Sequence, residues 1–352
     1  MKNRIAFVDM LKAMAIVGVV IIHVSGGLHS RFDIPSINWY LYVFCASLVR
    51  WSVPIFLMCS GVLFLNSEKT ISIKQIFTKY LPRILAALIF WALMYEIVDV
   101  IIEYRSTGIL SFGMINNVIK NIVTCNTHFH FYYLYIIILI YCLVPIIRVF
   151  TNAADKKHME YALFAWLALG VVFTFSIKFY PFNLLKGIVL QYGIRMAYAC
   201  IGFFVLGYYF NKYKVTKRTT NIIYVLGIFG FAITIVGTIY LSKESLDGTF
   251  FEGMSPNVTA MAAALFLFIK NLDKKGNNKL ITSKAIGYLS RASFCVYLVH
   301  DFFNIIFRLW GLDKMISNAL VSISVLTLMN LMLSIGVYFV LSRIPYVNKY
   351  LI

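Results

Sequence analysis

Long apolar stretches alternate with short polar ones along the whole chain. The ten apolar stretches span residues 8–28, 40–65, 82–103, 131–149, 160–177, 190–210, 221–241, 256–270, 285–307 and 316–341. A membrane-spanning helix needs roughly 20 mostly apolar residues, and only helices and closed barrels satisfy their backbone hydrogen bonds in lipid. Because these runs are long and continuous, the pattern predicts an all-α integral membrane protein with about ten transmembrane helices. We expect one polytopic domain, residues 1–352, without an appended soluble domain.

The composition agrees with this prediction and excludes the soluble classes. The chain is 61% hydrophobic and 13% charged, whereas a soluble domain is about 45–50% apolar and about 25% charged. None of the six cysteines belongs to a Cys-x-x-Cys pair, so neither a disulfide framework nor a zinc site is indicated. We expect no metal.

The net charge of +18 would point to nucleic acid in a soluble protein, but the placement of the charges explains it differently. With the N-terminus inside, 20 of the 32 Lys and Arg residues fall in the predicted cytoplasmic segments and eight in the outer ones. Cytoplasmic loops of membrane proteins collect basic residues. The charges therefore predict that both termini are cytoplasmic, that the protein is a multi-pass protein of the plasma membrane (a bacterial cytoplasmic membrane), and that nucleic acid is not a partner.

Four basic residues remain in or at the edge of the predicted spans: Lys12, Arg50, Arg195 and Arg291. A charged side chain at the centre of a helix costs about 2.5–3.5 kcal/mol on insertion scales, and such residues mark functional sites or bind a specific partner. These four are therefore candidates for function.

The first helix aligns two of the unusual polar residues. Asp9 and Lys12 are followed by ten apolar residues and then by His23. At 100° and 1.5 Å per residue, Lys12 and His23 share one helix face and lie about 16 Å apart along the axis. Asp9 precedes Lys12 by three residues and can pair with it. An elongated anion entering from the cytoplasm would meet the cation of Lys12 first and the imidazole of His23 at its far end.

The Asp-x-x-Lys-x10-His pattern of this helix resembles the membrane-bound acyltransferase family 3, whose members are ten-helix proteins. Five further segments resemble that family in the same order along the chain. They are Val53–Gly61 (VPIFLMCSG), Lys79–Arg83 (KYLPR), His130–Leu134 (HFYYL), Arg195 with Phe203–Gly207 (FFVLG), and Ser290–His300 (SRASFCVYLVH). Each motif alone is weak, but the ordered set is specific and covers nearly the whole chain.

The resemblance implies an O-acyltransferase that uses cytoplasmic acyl-CoA, with acetyl-CoA as the expected donor. The implied acceptor is a hydroxyl of an extracytoplasmic or lipid-linked envelope carbohydrate, and a homo-oligomer is compatible with this role. The expected catalytic residues are His23, as the general base, and Asp9. The basic residues expected to bind CoA are Lys12, Lys79, Arg83 and Arg291. The residues expected to bind the acceptor are Arg50, Ser60, His130, Tyr133, Arg195, Tyr297 and His300.

Several alternatives stay open at the level of sequence. His23 can act as a base or become acylated itself as a covalent relay. Ser60 and Gly61 also fit close packing between helices, since small residues let membrane helices approach. The segment between about Tyr104 and His130 can be a lid, an acceptor-binding loop or a plain connector. Finally, ten helices with intramembrane cations also suit a transporter or flippase of a glycan precursor, which would not depend on acyl-CoA.

Overall fold

The computed structural model describes residues 4–66, 71–193, 196–273 and 279–352. Within these ranges the regular structure is helical and no β-strand occurs. Nine helical stretches in the same ranges are long and apolar enough to cross a membrane. The prediction of an all-α, multi-span membrane protein is therefore confirmed.

Most predicted spans coincide with a single helix. The helices of the spans and two shorter ones, α5 and α13, are in chain order α1 (Ala6–Leu28), α2 (Ile37–Leu48), α3 (Ser52–Phe64), α4 (Ile73–Thr107), α5 (Phe112–Val123), α6 (Tyr132–Ala153), α7 (Lys156–Ser176), α8 (Met196–Lys212), α9 (Lys217–Leu241), α10 (Pro256–Asp273), α11 (Lys284–Leu309), α12 (Ala319–Leu341) and α13 (Pro345–Tyr350). Helix α8, which matches the sixth predicted span, has 17 residues. It begins directly after residues 194–195, which lie outside the described ranges.

The second predicted span, residues 40–65, is two helices rather than one. Helix α2 ends at Leu48 and α3 begins at Ser52. Pro54 explains the break, because proline has no N–H and its ring clashes with the carbonyl four residues earlier, here that of Arg50. Gly18 of α1 packs directly on this turn, since a Cβ at Gly18 would lie 2.0 Å from Oγ of Ser52. The break therefore places Arg50 beside the first helix.

The chain divides into two compact units, of which the larger comprises Met1–Lys69 and Val149–Gly336. In this unit α1 packs against α3, α10 and α11, while α3 packs against α8 and α9 against α10. Helices α3 and α8 approach closely at two glycines. A Cβ at Gly61 would lie 1.8 Å from the Phe204 carbonyl oxygen, and one at Gly207 would lie 2.1 Å from that of Met58. Gly61 therefore serves the close packing that its sequence context suggested.

The smaller unit comprises Thr70–Arg148 and Val337–Ile352. Its predicted loop from Tyr104 to His130 contains a helix, α5, which begins after a Ser111 N-cap. Several apolar side chains of α5 are exposed, with Phe112 92% and Val123 76% accessible, whereas Met114 is buried. An amphipathic helix of this kind is typical of a membrane interface. The segment is thus partly helical rather than a structureless loop.

Candidate functional site

Two histidines meet in the larger unit, one on α1 and one on α11. The rings of His23 and His300 have centroids 4.8 Å apart and are inclined by 55°. His300 is fully buried, whereas His23 is partly exposed. The pair joins the lone histidine of the first apolar run to the last residue of the Ser290–His300 segment.

The ring of His300 is held by its own helix. Its Nδ1 atom lies 2.7 Å from the carbonyl oxygen of Tyr297 and 3.2 Å from that of Val296. A carbonyl oxygen only accepts hydrogen bonds, so Nδ1 carries the proton and the acceptor lone pair of the neutral ring is on Nε2. The second histidine is thereby fixed in one orientation and one tautomer.

A chain of buried polar side chains continues from this histidine. Asn304 donates to Asp301 (3.0 Å), Asn330 donates to Asn304 (2.9 Å) and to the His300 carbonyl oxygen (2.7 Å), and Ser334 donates to Asn330 (3.1 Å). Sequence reasoning did not single out Asn304, Asn330 or Ser334. The available signal was amide and hydroxyl side chains within apolar runs, three or four residues apart on one helix face.

Replacement of Asn330 tests whether this network supports the histidine. We expect Asn330→Leu to lower the free energy of unfolding by about 2–4 kcal/mol, because Oδ1 of Asn304 loses its donor, the Ser334 hydroxyl loses its acceptor and the His300 carbonyl loses a second hydrogen bond. The measurement is thermal unfolding of the detergent-solubilised protein. Thr327→Val on the same helix is the matched control, since the Thr327 hydroxyl is buried and has no hydrogen-bond partner in the described part of the chain. Equal melting temperatures for the two variants would contradict the network.

Arg50 lies beside the histidine pair, at the break between α2 and α3. Its guanidinium sits over the ring of Phe251 at 3.8 Å, and its Nε donates to the Ala46 carbonyl oxygen at 3.1 Å. It also lies within electrostatic range of His23, as does Asp301. The ring of Phe251 and the carbonyl oxygen of Ala46 thus hold the Arg50 guanidinium at the site.

A second polar cluster lies at the N-terminal ends of α1 and α11. The carboxylate of Asp9 accepts hydrogen bonds from Arg4 (2.8 Å) and from the Ser290 hydroxyl (2.6 Å). Lys12 is half-buried close by, and both Asp9 and Lys12 act electrostatically on Cys59 of α3. The hydrogen bond from Ser290 to Asp9 therefore joins α11 to α1 near their N-terminal ends, whereas the histidine pair lies further along both helices. The pairing of Asp9 with Lys12 stays a prediction.

The comparison with known proteins identifies the family at this point. Residues 5–341 match the family described as Acyltransferase domain. The chain belongs to acyltransferase family 3. The match covers both the histidine pair and the Asp9 cluster, and it favours a multi-pass membrane acyltransferase over a transporter. No curated protein and no solved structure matches the chain.

The other predicted site residues of the larger unit differ in their burial and contacts. Tyr297 is buried, with its ring centroid 6.1 Å from that of His300. Ser60 donates its hydroxyl to the Phe56 carbonyl oxygen in its own helix at 2.9 Å. Arg291 is exposed, with its guanidinium 5.8 Å from the ring of Tyr288. Arg195 lies outside the described residues.

Four candidates of the acyltransferase belong to the smaller unit: Lys79, Arg83, His130 and Tyr133. His130 is fully buried, with its ring centroid 5.0 Å from that of Tyr95. Lys79 and Arg83 are exposed, and Arg83 donates to the carbonyl oxygen of Ile352. Tyr133 is half-buried. The roles of these four residues in binding donor or acceptor stay predictions.

Two acidic residues of the smaller unit contact polar side chains of the same unit. Asp99 pairs with His128 at 2.8 Å, and Glu96 accepts a hydrogen bond from Asn121 of α5 at 3.0 Å. His128 was missed because it lies in a predicted loop, 29 residues along the chain from its partner.

Proposed function

We propose that this acyltransferase moves an acetyl group from cytoplasmic acetyl-CoA to a hydroxyl of an extracytoplasmic or lipid-linked envelope carbohydrate. The observation that carries the proposal is the pairing of His23 with His300 in a chain that matches the family over residues 5–341. Lys12 supports it, because it lies about 16 Å from His23 along the same helix face. The protein would work in the cytoplasmic membrane with its N-terminus inside.

His23 is proposed as the general base. The acceptor hydroxyl gives its proton to an imidazole nitrogen of His23, and its oxygen forms a bond to the thioester carbonyl carbon. The carbon–sulfur bond then breaks, and the CoA sulfur takes the proton from the imidazolium. Histidine suits both steps because its unperturbed pKa lies near neutral pH. Arg50, held within electrostatic range of His23, would stabilise the negative charge that develops on the carbonyl oxygen.

The covalent alternative makes a different intermediate. In that route a nitrogen of His23 attacks the thioester carbon, CoA leaves, and the acceptor oxygen later displaces the histidine from the acyl group. Rapid quenching of the purified protein with radiolabelled acetyl-CoA, without acceptor, distinguishes the two routes. The general-base route predicts no label on the protein, whereas stoichiometric label that is lost in His23→Gln would establish the relay.

Lys12 is proposed to hold a phosphate group of CoA. We expect Lys12→Met to raise the KM for acetyl-CoA about tenfold or more, because a charge-assisted hydrogen bond contributes about 1.5–3 kcal/mol. The KM for the acceptor should not change. Lys284→Met is the matched control, since Lys284 is an exposed lysine at the start of α11. An unchanged KM for acetyl-CoA in Lys12→Met would remove Lys12 from the donor site.

A further inference from the structure

A small cavity lies next to His23, towards the C-terminal ends of α1 and α11. It has a volume of about 20 Å³ and is bounded by His23, Gly27, Asn304, Arg308, Asp313 and Leu326, among others. A space of this size holds one water molecule or one hydroxyl group. Its wall is mainly apolar, and its polar members are an imidazole, an amide, a carboxylate and a guanidinium.

Asp313 is a wall residue that no sequence pattern indicated. It lies in the short turn Leu312–Lys314, which follows the end of α11. Gly311, directly before this turn, has a φ of 68°. The residue is only 8% exposed, and its Oδ1 has no hydrogen-bond partner in the described part of the chain. A buried carboxylate oxygen left in this state costs free energy, and native proteins retain such groups where a ligand or a water satisfies them.

The wall also holds the polar side chains of Asn304 and Arg308. Asn304 donates to Asp301 and accepts from Asn330. Arg308 is exposed at the edge of the cavity, where its guanidinium lies 3.6 Å from the position of a Cβ at Gly27. A ligand in this space, which reaches His23, therefore meets an acceptor oxygen of Asp313 and, at the edge, the guanidinium of Arg308. A hydroxyl group is the ligand that fits both the size and this acceptor.

We infer that Asp313 accepts a hydrogen bond from a hydroxyl of the carbohydrate acceptor and holds it in the cavity beside His23. This inference rests on the proposed function and names the acceptor-binding residue of the same site. A carboxylate here favours a hydroxyl group, which it binds by a charge-assisted hydrogen bond. Acyl-CoA has no part in this contact.

Two variants of Asp313 test the inference in membranes of the producing cells. The acceptor probe is the glycan and glycolipid fraction extracted from their envelope, titrated against labelled acetyl-CoA. Asp313→Leu should raise the half-saturating concentration of this fraction about tenfold or more, the loss expected for a hydrogen bond to a charged group. Asp313→Asn keeps the shape and one acceptor oxygen and should lie between Asp313→Leu and wild type. The KM for acetyl-CoA should not change in either variant.

A second pair of variants tests the cavity by volume alone. Gly27→Val pushes a side chain towards Arg308 and into the cavity, whereas a Cβ at Gly26 meets no atom within 4 Å. Gly27→Val should weaken use of the envelope fraction as Asp313→Leu does, and Gly26→Val should resemble wild type. Asp33→Asn, at an exposed aspartate, controls for loss of an acidic residue.

The outcomes separate this inference from the proposed function. Unchanged half-saturation in both Asp313 variants, or an equal rise in the KM for acetyl-CoA, would overturn the role of Asp313 while the acyl transfer itself stands. If the wild-type protein moves no label to the envelope fraction, the proposed function fails and this inference fails with it. Melting temperatures of the variants identify any loss that comes from unfolding.

Discussion

Replacing His23 with alanine is expected to abolish acyl transfer while the protein remains folded and inserted. A positioned general acid–base group contributes about 10²–10⁴-fold to the rate, so the release of CoA from acetyl-CoA in the presence of the envelope fraction should fall by at least about 100-fold. The helix itself should persist, because His23 is partly exposed and alanine favours helix. The measurement is CoA release by the purified protein, together with its melting temperature.

His29→Ala is the matched control for this variant. His29 lies six residues further along, is exposed, and bonds through Nδ1 to the Gly26 carbonyl oxygen at 2.7 Å. Its replacement should leave CoA release within about twofold of wild type, as expected for a substitution outside the general acid–base machinery. Substantial activity in His23→Ala, or an equal loss in His29→Ala, would contradict the assignment of His23 as the base.

Adding a single methyl group at Gly61 is expected to give the largest loss of stability. A Cβ there would lie 1.8 Å from the carbonyl oxygen of Phe204, which is backbone and cannot rotate away. Helices α3 and α8 would have to separate. Overpacking of a tight interior costs about 1–3 kcal/mol and occasionally more, and we expect Gly61→Ala to cost about 3 kcal/mol or more because the obstacle is backbone. Thermal unfolding in detergent, followed by size-exclusion chromatography, measures the loss.

Gly336→Ala provides the control for the glycine substitution. Gly336 also lies within a membrane helix, α12, but a Cβ at this position meets nothing within 4 Å. Alanine should be neutral or slightly stabilising there, because it has the higher helix propensity. If Gly61→Ala melts at the same temperature as Gly336→Ala, then the close approach of α3 and α8 is not what the geometry indicates.

The positions of the helices could be predicted from the sequence, but their neighbours could not. Apolar runs of about 20 residues have one stable form in a bilayer, so the pattern predicts the spans without reference to other parts of the chain. The break at residues 49–51 was missed because the apolar run continues through it, although Pro54 gave the signal. Helix α5 was missed because its pattern is amphipathic and short rather than continuously apolar.

The candidate site, too, could be predicted from the sequence only in part. His23 stood out because an ionisable side chain within an apolar run is costly, and its register with Lys12 follows from helix geometry alone. His23 meets His300, 277 positions later in the chain, because α1 packs against α11. The periodicity of the sequence does not specify this packing. Asp313 gave no sequence signal at all, since an aspartate in a polar turn is ordinary until the turn is found to be buried.

The central claim, acetylation of envelope carbohydrate through His23, is tested most directly by mass spectrometry of envelope glycans and lipids. The samples come from cells that lack the gene and from the same cells carrying the wild-type gene or the His23→Ala gene. We predict that a glycan or glycolipid gains the mass of one or more acetyl groups with the wild-type gene alone. An identical acetylation pattern in the wild-type and His23→Ala cells, or altered export of an unmodified glycan without any acetylation, would contradict the claim.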